Sequence, residues 1–282
     1  MQPLQSTYPA VGRQRQGFSL VELLAVIGVF IALVGLTLPA VLRARESSRA
    51  ATCASNLKNH GVALGNYESN RRSFPPGNDQ RGSRFHAWSS FILPFLEQAD
   101  VANSVDYRKP WDDAGGNLAL ADLTLQTYVC PSGMKSFPGK QDYGGILGAW
   151  IEPDGSLATT PGWERSGVLY ATTDRYPHPT KAASVTDGLS QTLLVSEGVD
   201  RDHEGVDQHV YGDSCWACGS NCFPLNSPVL NDPRGDGFKS RHPGGVQALF
   251  ADGHVSFLGD QLDSRVLVAL CTKARGDRAA NF

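Results

Sequence analysis

The longest apolar segment of the chain lies near its N-terminus. From Phe18 to Leu42 the sequence contains one charged side chain, Glu22, and arginines flank the segment on both sides. About 20 apolar residues in a helix cross the hydrocarbon core of a bilayer, whereas a cleavable secretory signal has an apolar core of roughly 7–15 residues. The pattern therefore predicts a membrane-spanning helix that is retained rather than removed.

The helical pattern continues beyond this apolar segment. Apolar or small side chains recur at three- and four-residue spacing, at Ala50, Cys53, Leu57, Gly61 and Leu64. This spacing places them on one face of an α-helix. We therefore expect a single helix from about Phe18 to Asn70, kinked at Pro39. Residues 18–42 would lie in the membrane or a filament core, and residues 43–70 would pack their apolar stripe on a globular domain.

Short apolar or alternating segments separated by Gly, Pro and Asp fill the rest of the chain. Predicted strands or strand ends are DYGGILGAW, GVLYATT, TLLVSEGV, GVQALFADG and HVSFLG. LADLTLQTYVC predicts a helical turn leading into a strand that ends at Cys130, and QLDSRVLVALCTKARG predicts a terminal helix. The expected fold class is α+β, with a long N-terminal helix packed on an antiparallel sheet in residues 71–282. Residues 1–17 form a basic leader, and residues 199–238 an irregular Cys-rich insert.

Composition narrows the range of partners and compartments. The 282 residues carry a formal net charge of −3, so no basic field indicates binding to nucleic acid. Six cysteines suggest an oxidising compartment if the chain leaves the cytoplasm.

The segment GFSLVELLAVIGVFIAL resembles the N-terminus of type IV prepilins and pseudopilins. The resemblance rests on a basic leader, Gly17 before the cut, Phe18 after it, Glu22 five residues in, and an apolar helix. It implies that a prepilin peptidase cleaves between Gly17 and Phe18 and methylates Phe18. A carboxylate in a membrane segment usually has a partner, and for Glu22 we expect the N-terminal ammonium of a neighbouring pilin-like subunit. Pro39 falls at mature position 22, where many pilins kink.

Five further blocks, in order, resemble a prepilin-type family of planctomycete-like bacteria with a processing-associated H-X9-DG signature. The blocks are CASNLKNHGVALGNYESNRRSFPPG, WSSFILPFLEQ, YVCPS, SVTDGLSQTLLVSEG and RHPGGVQALFADGHVSFL. The family is built around a domain of unknown function, so the resemblance implies no known chemistry. It implies a pilin-like protein of a type II secretion or type IV pilus-like system. Such a protein is a single-pass inner-membrane protein before assembly, with its globular domain in the periplasm or at the cell surface.

The H-X9-DG residues of this chain are His242, Asp252 and Gly253. They could form an acid–base pair, or their spacing could be the length of a strand between two turns. Asp-Gly is a strong hairpin-turn signal, and a six-residue strand of about 20 Å would separate the two side chains. We therefore expect a hairpin, with His242 contacting another loop.

The cysteines are expected to form disulfides, because disulfides are the default outside the cytoplasm. The six candidates are Cys53, Cys130, Cys215, Cys218, Cys222 and Cys271. A Cys53–Cys130 bridge, which would clamp the helix to the sheet, is the preferred pair. A metal site at Cys215, Cys218 and Cys222, with His203 and His209 as further ligands, is the alternative, although no second C-x-x-C supports it.

A short acidic segment raises the question of calcium. Asp200, Asp202 and Glu204 match the first half of a calcium loop, but its twelfth position is Tyr211 instead of a bidentate glutamate. A surface acidic turn is the simpler interpretation, and a weak calcium site is the alternative. No other cofactor is expected.

Two functions remain open, and neither is enzymatic. The chain contains no G-x-S-x-G, P-loop or H-E-x-x-H motif. The first function is a structural or assembly protein, a pseudopilin or minor pilin whose helix packs in a filament. The second is a membrane-tethered binding module for a polysaccharide or a secreted partner, to which five tryptophans could contribute.

Overall fold

A computed structural model of the chain describes residues 19–152, 154, 156–159, 162, 165–200, 215–232 and 237–276. The predicted processing site at Gly17 and Phe18 lies outside these residues. The chain divides into two compact units, Met1–Arg45 and Glu46–Phe282.

Helix α1 (Leu20–Arg71) confirms the predicted long helix. It begins with a capping box: the Ser19 amide donates to Glu22 Oε2 (2.8 Å) and the Glu22 amide donates to Ser19 Oγ (3.2 Å). Pro39 lies inside α1, with helical residues on both sides. A kink there stays a prediction.

In the first unit, the apolar side chains of α1 are exposed on all sides of the helix. Among the described residues, α1 is the one helix long and apolar enough to cross a membrane.

In the second unit, α1 buries one face. The buried residues are Cys53, Leu57, His60, Gly61, Ala63 and Leu64. Their three- and four-residue spacing confirms the predicted stripe and extends it to His60 and Ala63.

The α+β class is confirmed, with a five-stranded sheet at its centre. The sheet has the order β6-β3-β5-β7-β8. Its strands are β3 (Tyr143–Ala149), β5 (Leu193–Glu197), β6 (Cys222–Leu225), β7 (Gly245–Phe250) and β8 (Val255–Gly259). The described helices besides α1 are α2 (Trp88–Ile92), α3 (Ala99–Ser104), α4 (Asn117–Ala121) and α5 (Ser264–Cys271).

The predicted antiparallel sheet is present, but one of its edges is parallel. Strand β6 pairs in parallel with β3, whereas the other three pairs are antiparallel. A parallel neighbour needs a long crossover, and the residues between β3 and β6 supply one. Residues 222–225 of the Cys-rich insert therefore form an edge strand and not an irregular loop.

A second, three-stranded sheet contains only dipeptide strands. These are β1 (Asn78–Asp79), β2 (His86–Ala87) and β4 (Ala171–Thr172). Strand β4 is all that forms of the strand predicted in GVLYATT.

The strand predicted before Cys130 does not form. Helix α4 and a 3-10 turn at Gln126–Tyr128 occupy this segment. The fully buried Tyr128 donates its hydroxyl to Ser89 O (2.8 Å), so tertiary packing overrides the local preference of the segment for an extended chain.

The predicted hairpin at the H-X9-DG motif is present. Strands β7 and β8 pair antiparallel from Gly245 opposite Gly259 to Leu249 opposite Val255. Gly253 sits in the turn with φ +87°, a conformation that favours glycine.

Both faces of the five-stranded sheet are covered. On one face, Leu249 and Leu194 pack in a core cluster that includes Cys53 and Leu57 of α1. On the other face, Val246, Ala248 and Phe250 of β7 pack in a core cluster with Leu267 and Leu270 of α5. The period-2 alternation of β7 therefore separates the two halves of the core.

Two glycines of α1 provide a matched test of how closely this helix approaches the hairpin. A Cβ at Gly61 would lie 2.8 Å from Leu249 Cδ1 and 3.3 Å from Gly253 O, whereas a Cβ at Gly65 would meet nothing within 4 Å. We expect Gly65→Ala to raise the free energy of unfolding by up to about 1 kcal/mol through helix propensity. Gly61→Ala should lower it, because the fully buried Leu249 has little room to move. Denaturant unfolding of the full chain in detergent measures both, and equal effects would contradict the close approach.

Candidate functional site

Four separate chain segments meet at one buried cluster of ionisable side chains. Helix α1 contributes Glu46 and Cys53, which are seven residues apart and so lie on the same face almost two turns from each other. The loop after the 3-10 turn supplies Cys130, the end of β5 supplies Glu197, and the loop before β7 supplies His242. We call these five residues the His242 cluster.

Cys53 and Cys130 bring their sulfur atoms into direct contact. The two Sγ atoms lie 2.9 Å apart, and both side chains are buried as thiols. A disulfide has an S–S length of about 2.05 Å, so the atoms would have to approach by about another 0.9 Å to bond. The two residues of the preferred pair are thus neighbours, and the bond between them stays a prediction.

His242 is the centre of the cluster. It is 3% exposed, and its Nδ1 lies 2.6 Å from Glu46 Oε1. Its Nε2 faces the opposite way, 3.7 Å from Cys130 Sγ and 3.2 Å from Glu197 Oε1. The predicted contact of His242 with other parts of the chain is confirmed.

Asp252, the other end of the motif, belongs to a different contact. Its Oδ1 accepts from the His254 amide (3.0 Å) and lies 2.6 Å from His254 Nδ1. The H-X9-DG motif is therefore not an acid–base pair within this chain.

Glu197 is a fully buried carboxylate with one oxygen engaged. Oε2 accepts from the Gln247 amide (2.8 Å), while Oε1 accepts no hydrogen bond from any described residue. Its contact with His242 Nε2 is an ion pair by distance, but it does not have hydrogen-bond geometry.

The electrostatics of the cluster favour a protonated imidazole in the absence of any metal. The contacts of its Nε2 with Cys130 and Glu197 raise the pKa of His242 to about 11. The contact with Cys53 lowers the pKa of the Cys130 thiol to about 6, helped by His242 and opposed by burial, whereas the contact with Cys130 and burial raise the pKa of the Cys53 thiol. Burial would raise the pKa of Glu46, but the hydrogen bonds from His242 and Ser132 lower it.

A thiolate beside an imidazolium is the chemistry of a nucleophile, but its burial here does not fit an open active site. Cys130 is 1% exposed, and Cys53 is fully buried. The larger of two described cavities, about 300 Å³, is lined by other residues, including Glu152, Arg165, Lys273 and Arg275. The arrangement fits metal ligation better, because Cys53, Cys130, Glu197 and His242 each direct one ligating atom to within 4.8 Å of the others.

A second ionic cluster fixes the loops that carry Cys130 and His242. The Lys140 ammonium lies 2.8 Å from Asp200 Oδ1 and 3.2 Å from Asp142 Oδ2, and all three side chains are buried. Asp142 also accepts from the Cys130 amide (2.8 Å), and Asp200 pairs with Arg241, the neighbour of His242.

The calcium hypothesis gains no support from Asp200. Both of its oxygens accept hydrogen bonds from amides and cations, from Met134, Lys135, Lys140 and Arg241. A calcium ion would have to displace these donors. Asp202 and Glu204 lie outside the described residues, so calcium binding there stays a prediction.

The remaining cysteines lie apart from the His242 cluster. Cys215 and Cys218 pack in a core cluster with Tyr128 and Trp216, Cys222 lies in β6, and Cys271 is buried in α5. Within the described part of the chain, Cys215, Cys218 and Cys222 do not belong to a converging group of three or more ligands. His203 and His209 lie outside that part.

Sequence reasoning missed Glu46 and Glu197. A carboxylate at the end of the short, largely apolar segment LLVSE, which forms β5, was the available signal for Glu197. Glu46 lies on the Cys53 face of α1, but its partner is 196 positions away.

One comparison with known proteins gives a result. A family model described as a protein of unknown function (DUF1559) matches residues 43–265, more than three quarters of the chain. This range includes every residue of the His242 cluster. No curated protein matches the chain, and no solved structure matches it.

Asp200→Asn tests the second ionic cluster. The substitution leaves the buried Lys140 ammonium with less compensating charge, which should lower the free energy of unfolding by about 3–5 kcal/mol at neutral pH. Burial would raise the pKa of Asp200, but hydrogen bonds from Lys140, Met134 and Lys135 lower it to about 2. Its stabilisation is therefore present above roughly pH 4 and lost as the pH falls through about 2, so wild type and variant should converge in acid.

Asp252→Asn is the matched control, because Asp252 pairs with His254 at the surface. It should change the free energy of unfolding by less than about 1 kcal/mol. Denaturant unfolding of both variants between pH 2 and pH 7 gives the comparison. A pH-independent difference for Asp200→Asn would contradict the ionic explanation.

Proposed function

The chain belongs to the DUF1559 family, and from its N-terminal apolar helix we propose that it is a pilin-like structural subunit. In this proposal it acts as a pseudopilin or minor pilin of a type II secretion or type IV pilus-like system. A prepilin peptidase cleaves it between Gly17 and Phe18. Its globular domain faces the periplasm or the cell surface.

The observation that carries the proposal is the exposed apolar surface of the first unit. Fifteen large apolar side chains between Leu20 and Leu42 are at least 45% exposed. Water does not solvate such a surface without cost, so the segment needs lipid or apolar surfaces of other subunits around it. Lipid would surround the segment in a membrane-anchored precursor. Apolar surfaces of neighbouring subunits would surround it after the precursor enters a filament core.

Glu22 is the single charge within this surface, and the proposal gives it a role. Its side chain already caps α1 through Ser19. Cleavage before Phe18 would leave each subunit with a free N-terminal ammonium, about one helical turn before its Glu22. Pairing between the Glu22 of one subunit and the ammonium of the next would offset the cost of a carboxylate in an apolar environment.

The tethered binding module is less well supported. Trp88 and Trp216 are almost completely buried, so neither can serve as a stacking platform for a sugar. Trp150 is partly exposed, and Trp163 lies outside the described residues.

Processing is tested with Gly17→Ala. We expect this variant to keep its leader, because the peptidase would no longer accept the residue before the cut. Intact mass spectrometry of the full chain from membranes should show the mature mass for wild type and the longer precursor for the variant. Gly28→Ala, a glycine in α1 with no neighbour within 4 Å, is the control and should be cut normally. A mature mass for Gly17→Ala would refute prepilin-type processing.

Assembly is tested with Glu22→Gln and Ser19→Ala. Glu22→Gln removes the charge that would pair with a neighbouring ammonium, so processed chains should no longer cross-link into assemblies in native membranes. Ser19→Ala removes only the hydroxyl of the capping box and should assemble normally. If processed Glu22→Gln assembles as well as wild type, the filament role fails and the tethered module becomes the better explanation.

A further inference from the structure

We propose that the His242 cluster is a zinc site, with a tetrahedral ligand set of Cys53, Cys130, Glu197 and His242. The site would join helix α1 to the sheet and to two loops. It is independent of the pilin-like role, because none of its ligands lies in the first unit.

The donor set is one that zinc prefers. Zinc in structural sites takes four ligands in a tetrahedron, from thiolate sulfur, imidazole nitrogen and carboxylate oxygen. Two thiolates, one imidazole and one carboxylate meet this requirement. A tetrahedral centre with sulfur and nitrogen donors is typical of zinc among the common metals.

Two of the distances between ligand atoms match those expected in such a tetrahedron. With standard zinc–ligand lengths, an imidazole nitrogen and a thiolate sulfur on one zinc lie about 3.6 Å apart, and a nitrogen and a carboxylate oxygen about 3.4 Å apart. His242 Nε2 lies 3.7 Å from Cys130 Sγ and 3.2 Å from Glu197 Oε1. The Cys53 and Cys130 sulfurs, at 2.9 Å, would separate to about 3.8 Å on binding.

Glu197 provides independent support for a cation-binding role of the cluster. A fully buried carboxylate oxygen without a hydrogen bond is costly, and Glu197 Oε1 is such an atom. It faces the same point as His242 Nε2. A Cys53–Cys130 disulfide would satisfy the two sulfurs but would leave Oε1 with the ionic contact to His242 Nε2 at 3.2 Å and no hydrogen bond, whereas a zinc ion would bind it directly.

The surroundings of the ligands match those of a built metal site. Metal-binding histidines usually donate their other ring N–H to a carboxylate, and His242 Nδ1 lies 2.6 Å from Glu46 Oε1. Glu46 is in turn held by the Ser132 hydroxyl (3.0 Å). The amide of Gln247 holds the other oxygen of Glu197 (2.8 Å).

Binding is balanced in protons. Zn²⁺ displaces the thiol proton of Cys53 and the Nε2 proton of His242, Cys130 binds as the thiolate, and the Nδ1 proton stays on the side of Glu46. The resulting centre of two thiolates, one carboxylate and Zn²⁺ carries a single negative charge. No oxidant or reductant takes part.

The first experiment measures metal content. The full chain, without a polyhistidine tag, is purified from membranes in detergent under non-reducing, chelator-free conditions. Metal analysis should find about one zinc per chain. Glu197→Gln and His242→Asn should lose it, whereas Cys271→Ser, a buried cysteine outside the cluster, should retain it.

The second experiment uses wild type and so does not depend on the folding of a variant. The reduced, metal-free chain is titrated with Co²⁺, which should produce thiolate-to-cobalt charge-transfer bands and the visible bands of a tetrahedral centre. Competing Zn²⁺ should remove both. Glu46→Gln should bind about 10- to 100-fold more weakly, the usual effect of losing the carboxylate behind a histidine ligand.

Three results would overturn the proposal. One is a Cys53–Cys130 disulfide in peptide maps of the chain as purified. Another is the absence of charge-transfer bands when the reduced wild type is titrated. The third is unchanged zinc content in a Glu197→Gln variant whose circular dichroism equals that of wild type.

Discussion

The fold of the second unit depends on one constraint, the compensation of charge around a buried imidazole. His242 lies between Glu46, which is partly buried, and Glu197, which is fully buried. Removing one partner from such a group leaves an uncompensated buried charge, which is far more costly than losing a surface pair. Helix α1, strand β5 and two loops must therefore reach their positions together. This couples local segments that are distant in the sequence.

The second ionic cluster extends the same constraint. Asp142 holds the backbone of Cys130, and Asp200 holds Arg241 beside His242. Lys140 joins the two carboxylates. The loops that carry the functional side chains are thus fixed by charges in the core, where hydrophobic packing alone would leave their orientation undefined.

Local patterns in the sequence predicted which segments form helices, strands and turns. They predicted less well which of these elements contact one another. The stripe of α1 and the Asp-Gly turn follow from short-range periodicity and turn chemistry, and both were found as expected. The parallel pairing of β6 and the turn at Tyr128 depend on tertiary contacts, so no local pattern encodes them. Only part of the His242 cluster could be predicted from the sequence. The chain has only six cysteines, and Cys53 and Cys130 were the preferred pair among them. Glu46 and Glu197 are two of 28 acidic residues, and only the folded chain distinguishes them.

The hairpin contacts α1 at both of its ends. His242, before β7, meets Glu46, while Gly253, after it, accepts from the Lys58 ammonium (2.8 Å) and approaches Gly61. Lys58 lies twelve positions after Glu46 in α1, about 18 Å at the rise of an α-helix, and the six residues of β7 span about 20 Å. The strand and the helix segment thus have similar lengths. The nine residues between His242 and Asp252 therefore correspond to the distance between the two contacts on α1. An inserted or deleted residue within β7 would break this match and would also exchange the two faces of the strand. The spacing of the motif therefore matches the distance along α1 between the residues that His242 and Gly253 contact.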